Sequence, residues 1–186
     1  KLVVDECFND FLTDAERHTR KELLESNPGL IILRAYTKMY AVPGVRFGWC
    51  MTADAALIEK LYHAGQPWNV SVIAQACAAA AANEPDWATE TAKRIAEERR
   101  FLSDGLAACG LTVFPGEANF LLFRSNDTGL HEKLAEHGIM IRNCDNYRGL
   151  SAGYYRVAVK TREASKCLLN AIKLIMENEG TRFVRI

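Results

Sequence analysis

Residues 30–48, LIILRAYTKMYAVPGVRFG, begin as a buried strand and end beyond a turn. Leu30 to Ala35 is a short Leu- and Ile-rich run, the length of a strand covered on both faces. Thr37 and Lys38 follow it, Pro43-Gly44 turns the chain, and Arg46 to Thr52 reads as a further strand. Upstream, Lys1 to Asp5 (KLVVD) is a run of the same kind that ends in an acid. Helical spacing over Asp14 to Ser26 separates the first two runs, and that order predicts a parallel sheet in an α/β layer. In such a sheet the carboxyl ends of neighbouring strands line one crevice, so Asp5 and Lys38 are expected to share a site.

Downstream, Asp54 to His63 has helical spacing and Gln66-Pro67-Trp68-Asn69 breaks it. Ser71 to Ala82 is rich in alanine and almost free of charge, which predicts a buried helix. After Pro85, Asp86 to Cys109 spaces charged and apolar residues as one helix of about six turns. Beyond Gly110 the pattern changes to short strands at Leu111 to Phe114, Asn119 to Arg124, Ile139 to Arg142 and Tyr154 to Val159. Helices at Gly129 to His137 and Thr161 to Asn178 interleave with them. The fold class is therefore α/β, with a first domain over 1–105 and a smaller α+β domain over 106–186.

The composition narrows the partners. With 23 Lys plus Arg against 23 Asp plus Glu, the chain has no net charge and no long basic block for nucleic acid or a membrane surface. No apolar run reaches the roughly 20 residues of a spanning helix, and the start lacks a signal-peptide pattern. Cysteines at 7, 50, 77, 109, 144 and 167 stand singly, without the C-x-x-C spacing of a zinc or redox pair, and read as reduced thiols of a cytoplasmic protein. His18, His63, His131 and His137 form no ligand pair, so no metal is expected. The first residue is not Met and falls within an apparent strand, a hint of sequence upstream.

The chemistry concentrates around residues 5 to 46. Lys38 just past a strand offers an amine that can form an imine, and Arg46, past the turn, offers a guanidinium that can clamp a phosphate. Asp5 adds a carboxylate from the neighbouring strand. Pyridoxal 5'-phosphate (PLP) needs those three groups: an amine for its aldehyde, a carboxylate to keep its ring nitrogen protonated and a cation for its phosphate. Taken singly, a loop lysine is most often solvated and a strand-end acid is most often a cap.

Two motifs sharpen that reading. Asp5-Glu6-Cys7-Phe8 resembles the D-E-A-(F/Y) signature of fold-type-I PLP enzymes. Thr37-Lys38 through Arg46-Phe47-Gly48 resembles their (S/T)-K-x-(F/Y)-x-(L/I/V)-x-G-(L/I/V)-R-x-G signature. The resemblance implies that Asp5 pairs with the pyridinium nitrogen, that Lys38 carries the cofactor and is the catalytic amine, and that Arg46 binds its phosphate with help from the Thr37 hydroxyl. Phe8 takes a cofactor-contacting position that is tyrosine in many relatives, so it cannot donate to the ring oxygen. Ala35 stands where many relatives place a phosphate-binding serine. Residues 141–150, IRNCDNYRGL, and 154–161, YYRVAVKT, are similar to segments of threonine-phosphate decarboxylases and histidinol-phosphate aminotransferases. By that likeness Arg156 grips the substrate α-carboxylate, and Arg142 faces the substrate phosphate or shares the carboxylate.

What the resemblance implies for the whole is a PLP enzyme, a homodimer in its full-length form, acting on a small phosphorylated amino acid or amino alcohol. The pattern after Arg142 tilts towards decarboxylation of O-phospho-L-threonine, an activity of cobalamin biosynthesis. A histidinol-phosphate-type aminotransferase and a catalytically inert fragment are the alternatives. The likeness covers nearly all of the chain but only the second half of the family, so the remaining cofactor-binding groups are expected upstream.

Overall fold

The computed structural model describes residues 1–182, and their side chains apart from Pro85 and 179–182. The end of the predicted small domain, 183–186, lies outside the described residues. Two compact units divide the chain, Lys1–Lys93 and Arg94 onward.

In the first unit the apolar runs form a three-stranded sheet. Strand β1 (Leu2–Asp5) lies parallel to β2 (Leu30–Ala35), with Leu2 opposite Leu30 and Asp5 opposite Leu33. Strand β3 (Gly48–Met51) pairs antiparallel on the other side of β2, with Ala35 opposite Gly48. The expected parallel pair is present, and β3 makes the sheet mixed. Central β2 buries Leu30 and Ile32, which explains its unbroken apolar run.

The single helix expected over Asp14 to Ser26 is not formed. Helix α1 (Ala15–His18) makes one turn, and a 3-10 turn at Lys21–Leu23 follows. The interruption falls where Glu6 takes over local donors: its carboxylate accepts from the Thr19 hydroxyl at 2.8 Å and from the Arg20 N–H at 2.8 Å. A tertiary acceptor therefore competes with the helical ladder and turns the chain out of it.

Helix α2 (Ala55–Ala64) starts at Asp54, whose carboxylate accepts from the Leu57 N–H at 3.0 Å. Helix α3 (Val72–Ala82) starts at Ser71, whose hydroxyl accepts from the Ala74 N–H at 3.1 Å. The expectation that this segment is buried fails within the unit. Only Ala74 and Ala81 are buried, while Val72 and Ile73 are 81% and 70% exposed. A helix apolar on every side needs covering elements on every side, and the first unit covers one.

Helix α4 (Pro85–Ala108) carries the division between the units, between Lys93 and Arg94, whereas the sequence reading sets its boundary farther along the same helix. Leu102 and Leu106 on its later turns belong to the core of the second unit, with Leu121, Phe123, Leu134, Tyr155 and Ile172. That core lies against an antiparallel sheet of β4 (Thr112–Val113), β5 (Phe120–Arg124), β6 (Arg142–Asn143) and β7 (Tyr154–Ala158), ordered β4-β5-β7-β6. Helices α5 (Leu130–Glu136) and α6 (Arg162–Arg182) complete the unit. Gly105 sits where any Cβ would collide with the Leu169 side chain, so α4 and α6 pack closely there. Arg162 fastens the start of α6, donating to both Glu98 carboxylate oxygens at 2.8 and 2.9 Å.

The strand predicted at Ile139 to Arg142 begins only at Arg142. Gly138, with φ of 72°, ends α5 by letting its own N–H reach Ala135 O and the Ile139 N–H reach Leu134 O. That exit uses the residues the strand was expected to take. Among the described residues no helix is long and apolar enough to cross a membrane, and no group of three metal-ligating side chains forms.

Candidate active site

Asp5 closes β1 and turns its carboxylate back on the loop that follows. Oδ1 accepts from the Cys7 N–H at 2.9 Å. Cys7, by its side chain first and its N–H second, holds the Asp5 carboxyl below its ordinary range. The same contact, after burial, pushes the Cys7 thiol up to about 11. Asp5 is thus an ionised carboxylate, the form that can answer a protonated ring nitrogen.

Lys38 lies in the turn that leaves β2. The Tyr40 N–H donates to Tyr36 O and the Ala41 N–H to Lys38 O, both at 3.1 Å. Its neighbours anchor the turn: Met39 is 3% exposed, and the Trp87 indole N–H donates to Met39 O at 3.1 Å. Tyr36 packs against Tyr40, Phe47 and Trp49, with ring centroids 4.7, 5.7 and 4.8 Å away. Lys38 itself remains exposed, and Thr37 is half-buried.

Arg46 is reached through a strained backbone. It holds φ at 60° and Ala41 holds φ at 52°, in the left-handed region that costs a non-glycine residue about 1–2 kcal/mol. Such conformations persist where the surroundings over-determine them, often at functional positions. The Arg46 guanidinium donates to Pro43 O at 3.0 Å. Gly48 starts β3, and a Cβ there would stand 3.0 Å from Arg34 O, so the return strand approaches β2 closely only because residue 48 lacks a side chain.

Strand direction places these groups at one edge of the sheet. The carboxyl ends of β1 and β2 lie beside the amino end of β3, so Asp5, Lys38 and Arg46 all leave the sheet there. Phe8 follows Asp5 by three residues and packs on Phe11 at 6.4 Å between centroids.

In the second unit, Arg142 on β6 stands directly opposite Arg156 on β7. Opposed residues of an antiparallel pair project on the same face, and like charges so placed repel. Neither has a carboxylate partner among the described residues. Arg142 donates to the Asn146 side-chain oxygen at 3.3 Å and lies over the Tyr147 ring, and Arg156 lies over the Phe120 ring. Two guanidinium groups on one face with no carboxylate partner have the chemistry to hold an anionic group.

The sequence reading missed Cys7 and the cluster of Glu6, Asp10, Thr19 and Arg34 behind Asp5. Arg34 carried a signal, as the one charged residue in an otherwise apolar strand.

Comparison with known proteins identifies the family. The model of aminotransferase class I and II matches residues 1–172. Threonine-phosphate decarboxylase of Salmonella typhimurium is 34% identical over 178 residues, which cover 94% of this chain and 48% of that protein. The crystal structure of histidinol-phosphate aminotransferase from Clostridium acetobutylicum superposes with a TM-score of 0.89 at 29% identity, over 95% of this chain and 54% of that one. Histidinol-phosphate aminotransferase from Sinorhizobium meliloti, solved in complex with pyridoxal-5'-phosphate, shares the fold at a TM-score of 0.79 and 24% identity, over 95% of this chain and 49% of that one. The chain spans about half the length of the relatives it matches. With the family model matched over nearly its whole length, this chain belongs to the class I and II aminotransferases, a family of PLP-dependent enzymes.

Proposed function

We propose that the chain is the carboxyl-terminal part of a PLP enzyme that decarboxylates O-phospho-L-threonine. The observation that carries the cofactor half of this reading is the shared sheet edge of Asp5, Lys38 and Arg46. The first unit then contributes the later part of a cofactor-binding domain, and the second a small domain that carries substrate-binding arginines.

The donor set fits PLP. Asp5, ionised and held by Cys7, keeps a proton on the ring nitrogen. Lys38 offers its amine to the aldehyde, Arg46 and Thr37 hold the phosphate, and Phe8 provides an apolar contact. When bound, the cofactor supplies an electron sink for charge developing at the substrate's α-carbon. The opposed Arg142 and Arg156 suit a substrate with two anionic groups, a carboxylate and a phosphate, and O-phosphothreonine has both. With the cofactor bound, the Lys38 amine would be the group to move protons.

The 34% identity to a threonine-phosphate decarboxylase supports loss of the carboxylate. The 0.89 superposition on a histidinol-phosphate aminotransferase supports the second reading, transamination of a phosphorylated amino alcohol. The full-length protein, tested as the homodimer it is proposed to be, separates them. Carbon dioxide released from O-phosphothreonine without any keto acid is the expected result, and a turnover that requires 2-oxoglutarate overturns the decarboxylase. A protein that stays colourless with PLP, as a Lys38→Ala control does, leaves only a non-catalytic role.

A further inference from the structure

We propose that Arg34 is a positioning residue whose guanidinium, pinned between Glu6 and Asp10, sets where Asp5 stands relative to Lys38. The inference rests on the reading that Asp5 and Lys38 hold PLP. β1 ends at Asp5, and the next eighteen residues contain no strand, only short turns and the single turn of α1. The sheet holds Glu6 by one backbone bond, from its N–H to Leu33 O at 2.9 Å. Beyond that bond, the placement of the loop depends on side chains.

Arg34 supplies them. Its Nε and Nη2 reach Glu6 Oε2 at 3.1 and 2.9 Å, Nη1 reaches Asp10 Oδ1 at 2.7 Å, and Nη2 also donates to the Thr19 hydroxyl at 3.3 Å. Thr19 donates in turn to Glu6 Oε2, and the Arg20 N–H occupies Oε1. Both Glu6 oxygens are therefore filled, with its side chain 5% exposed and that of Arg34 14% exposed. Cys7, whose N–H fixes the Asp5 carboxylate, lies between the two residues that Arg34 grips. Four residues after Arg34 comes Lys38, so one side chain on β2 ties the loop behind the carboxylate to the strand that presents the amine.

The fork geometry matters more than the charge. Three guanidinium nitrogens point at three different partners, and a lysine ammonium cannot reproduce that plane. Two desolvated carboxylates share this one cation, and burial raises the Asp10 carboxyl against the pull of Arg34. Without the fork they repel, and the loop moves.

The test uses Arg34→Lys and Asp10→Asn, with two readouts. The first needs no cofactor: the rate at which Cys7 is alkylated at pH 8.5, followed by peptide mass mapping with exposed Cys167 as the internal reference. Thermal melting confirms the fold. Loss of the Asp5 contact is expected to speed Cys7 alkylation ~10-fold in Arg34→Lys, as one unit in the thiol pKa implies, with a smaller rise in Asp10→Asn. The second readout is PLP affinity of the full-length protein by visible absorbance, expected to weaken ~10-fold in Arg34→Lys, one unit of pK in binding. Parent-level Cys7 reactivity in a folded variant overturns the proposal. If Arg34→Lys does not fold, Asp10→Asn decides alone by the same criterion. A full-length parent that never takes up PLP removes the cofactor reading, while the Cys7 rates still decide whether Arg34 places Asp5.

Discussion

The role proposed for Asp5, answering a protonated ring, requires it to be a carboxylate, and Cys7 favours that form. Because its folded pKa lies below the ordinary 3.8, it contributes stability above that value, and the contribution disappears as pH falls through the folded pKa. Cys7 works in the opposite direction. Its thiol, raised from 9.0 to about 11, stays protonated in the folded chain while an unfolded thiol ionises, so its contribution is lost as pH rises from 9.0. Alkylation of Cys7 should therefore follow a pH profile with its midpoint near 11, and Asp5→Asn should move that midpoint down towards 9.0. Asp5→Asn should also weaken PLP binding, measured by the visible band. Arg156→Lys keeps the charge and loses the planar fork. Charge-assisted bonds of this kind contribute about 1.5–3 kcal/mol, so O-phosphothreonine should bind the full-length variant ~10- to 100-fold more weakly by calorimetry.

At the scale of elements, the Lys38 turn is held at both ends, by β2 and by the close return of β3. Gly48→Ala forces a Cβ to 3.0 Å from Arg34 O, and overpacking of this kind costs about 1–3 kcal/mol. A lower urea midpoint with loss of PLP uptake is the expected result. Leu106 is fully buried in the second unit, and Leu106→Ala should destabilise by about 2–5 kcal/mol through the cavity it leaves. Differential scanning calorimetry reads that loss. Helix α3 shows how an element can be legible while its environment is not. Its Ser71 cap and alanine run identify the helix, but burial depends on what covers it.

For the whole molecule, the apolar side chains left open in the first unit are the salient feature. Tyr62, Trp68, Val72 and Ile73 are 81%, 96%, 81% and 70% exposed, a density unusual for a soluble surface. The chain studied alone should bind a hydrophobic dye such as ANS, and Val72→Ser with Ile73→Ser should reduce that fluorescence. The parallel β1–β2 pair, the α4 helix and the fold class were all readable before any coordinates, because strand and helix periods are local properties of residue order. The broken helix after Asp14 and the late start of β6 were not, since a distant acceptor, Glu6, and a left-handed glycine, Gly138, decided them.

By itself the residue order determined the α/β class and singled out Asp5, Lys38, Arg46, Arg142 and Arg156 as candidates, because runs, turns and signatures are written along the chain. Only the tertiary structure decided that β3 returns antiparallel to bring Arg46 to the edge shared by Asp5 and Lys38, and that Arg142 and Arg156 oppose each other without an acid. It alone also shows Arg34 binding the loop behind Asp5. The reason is physical: register, ion pairs and desolvation depend on distances between residues far apart in sequence, and no local periodicity encodes them.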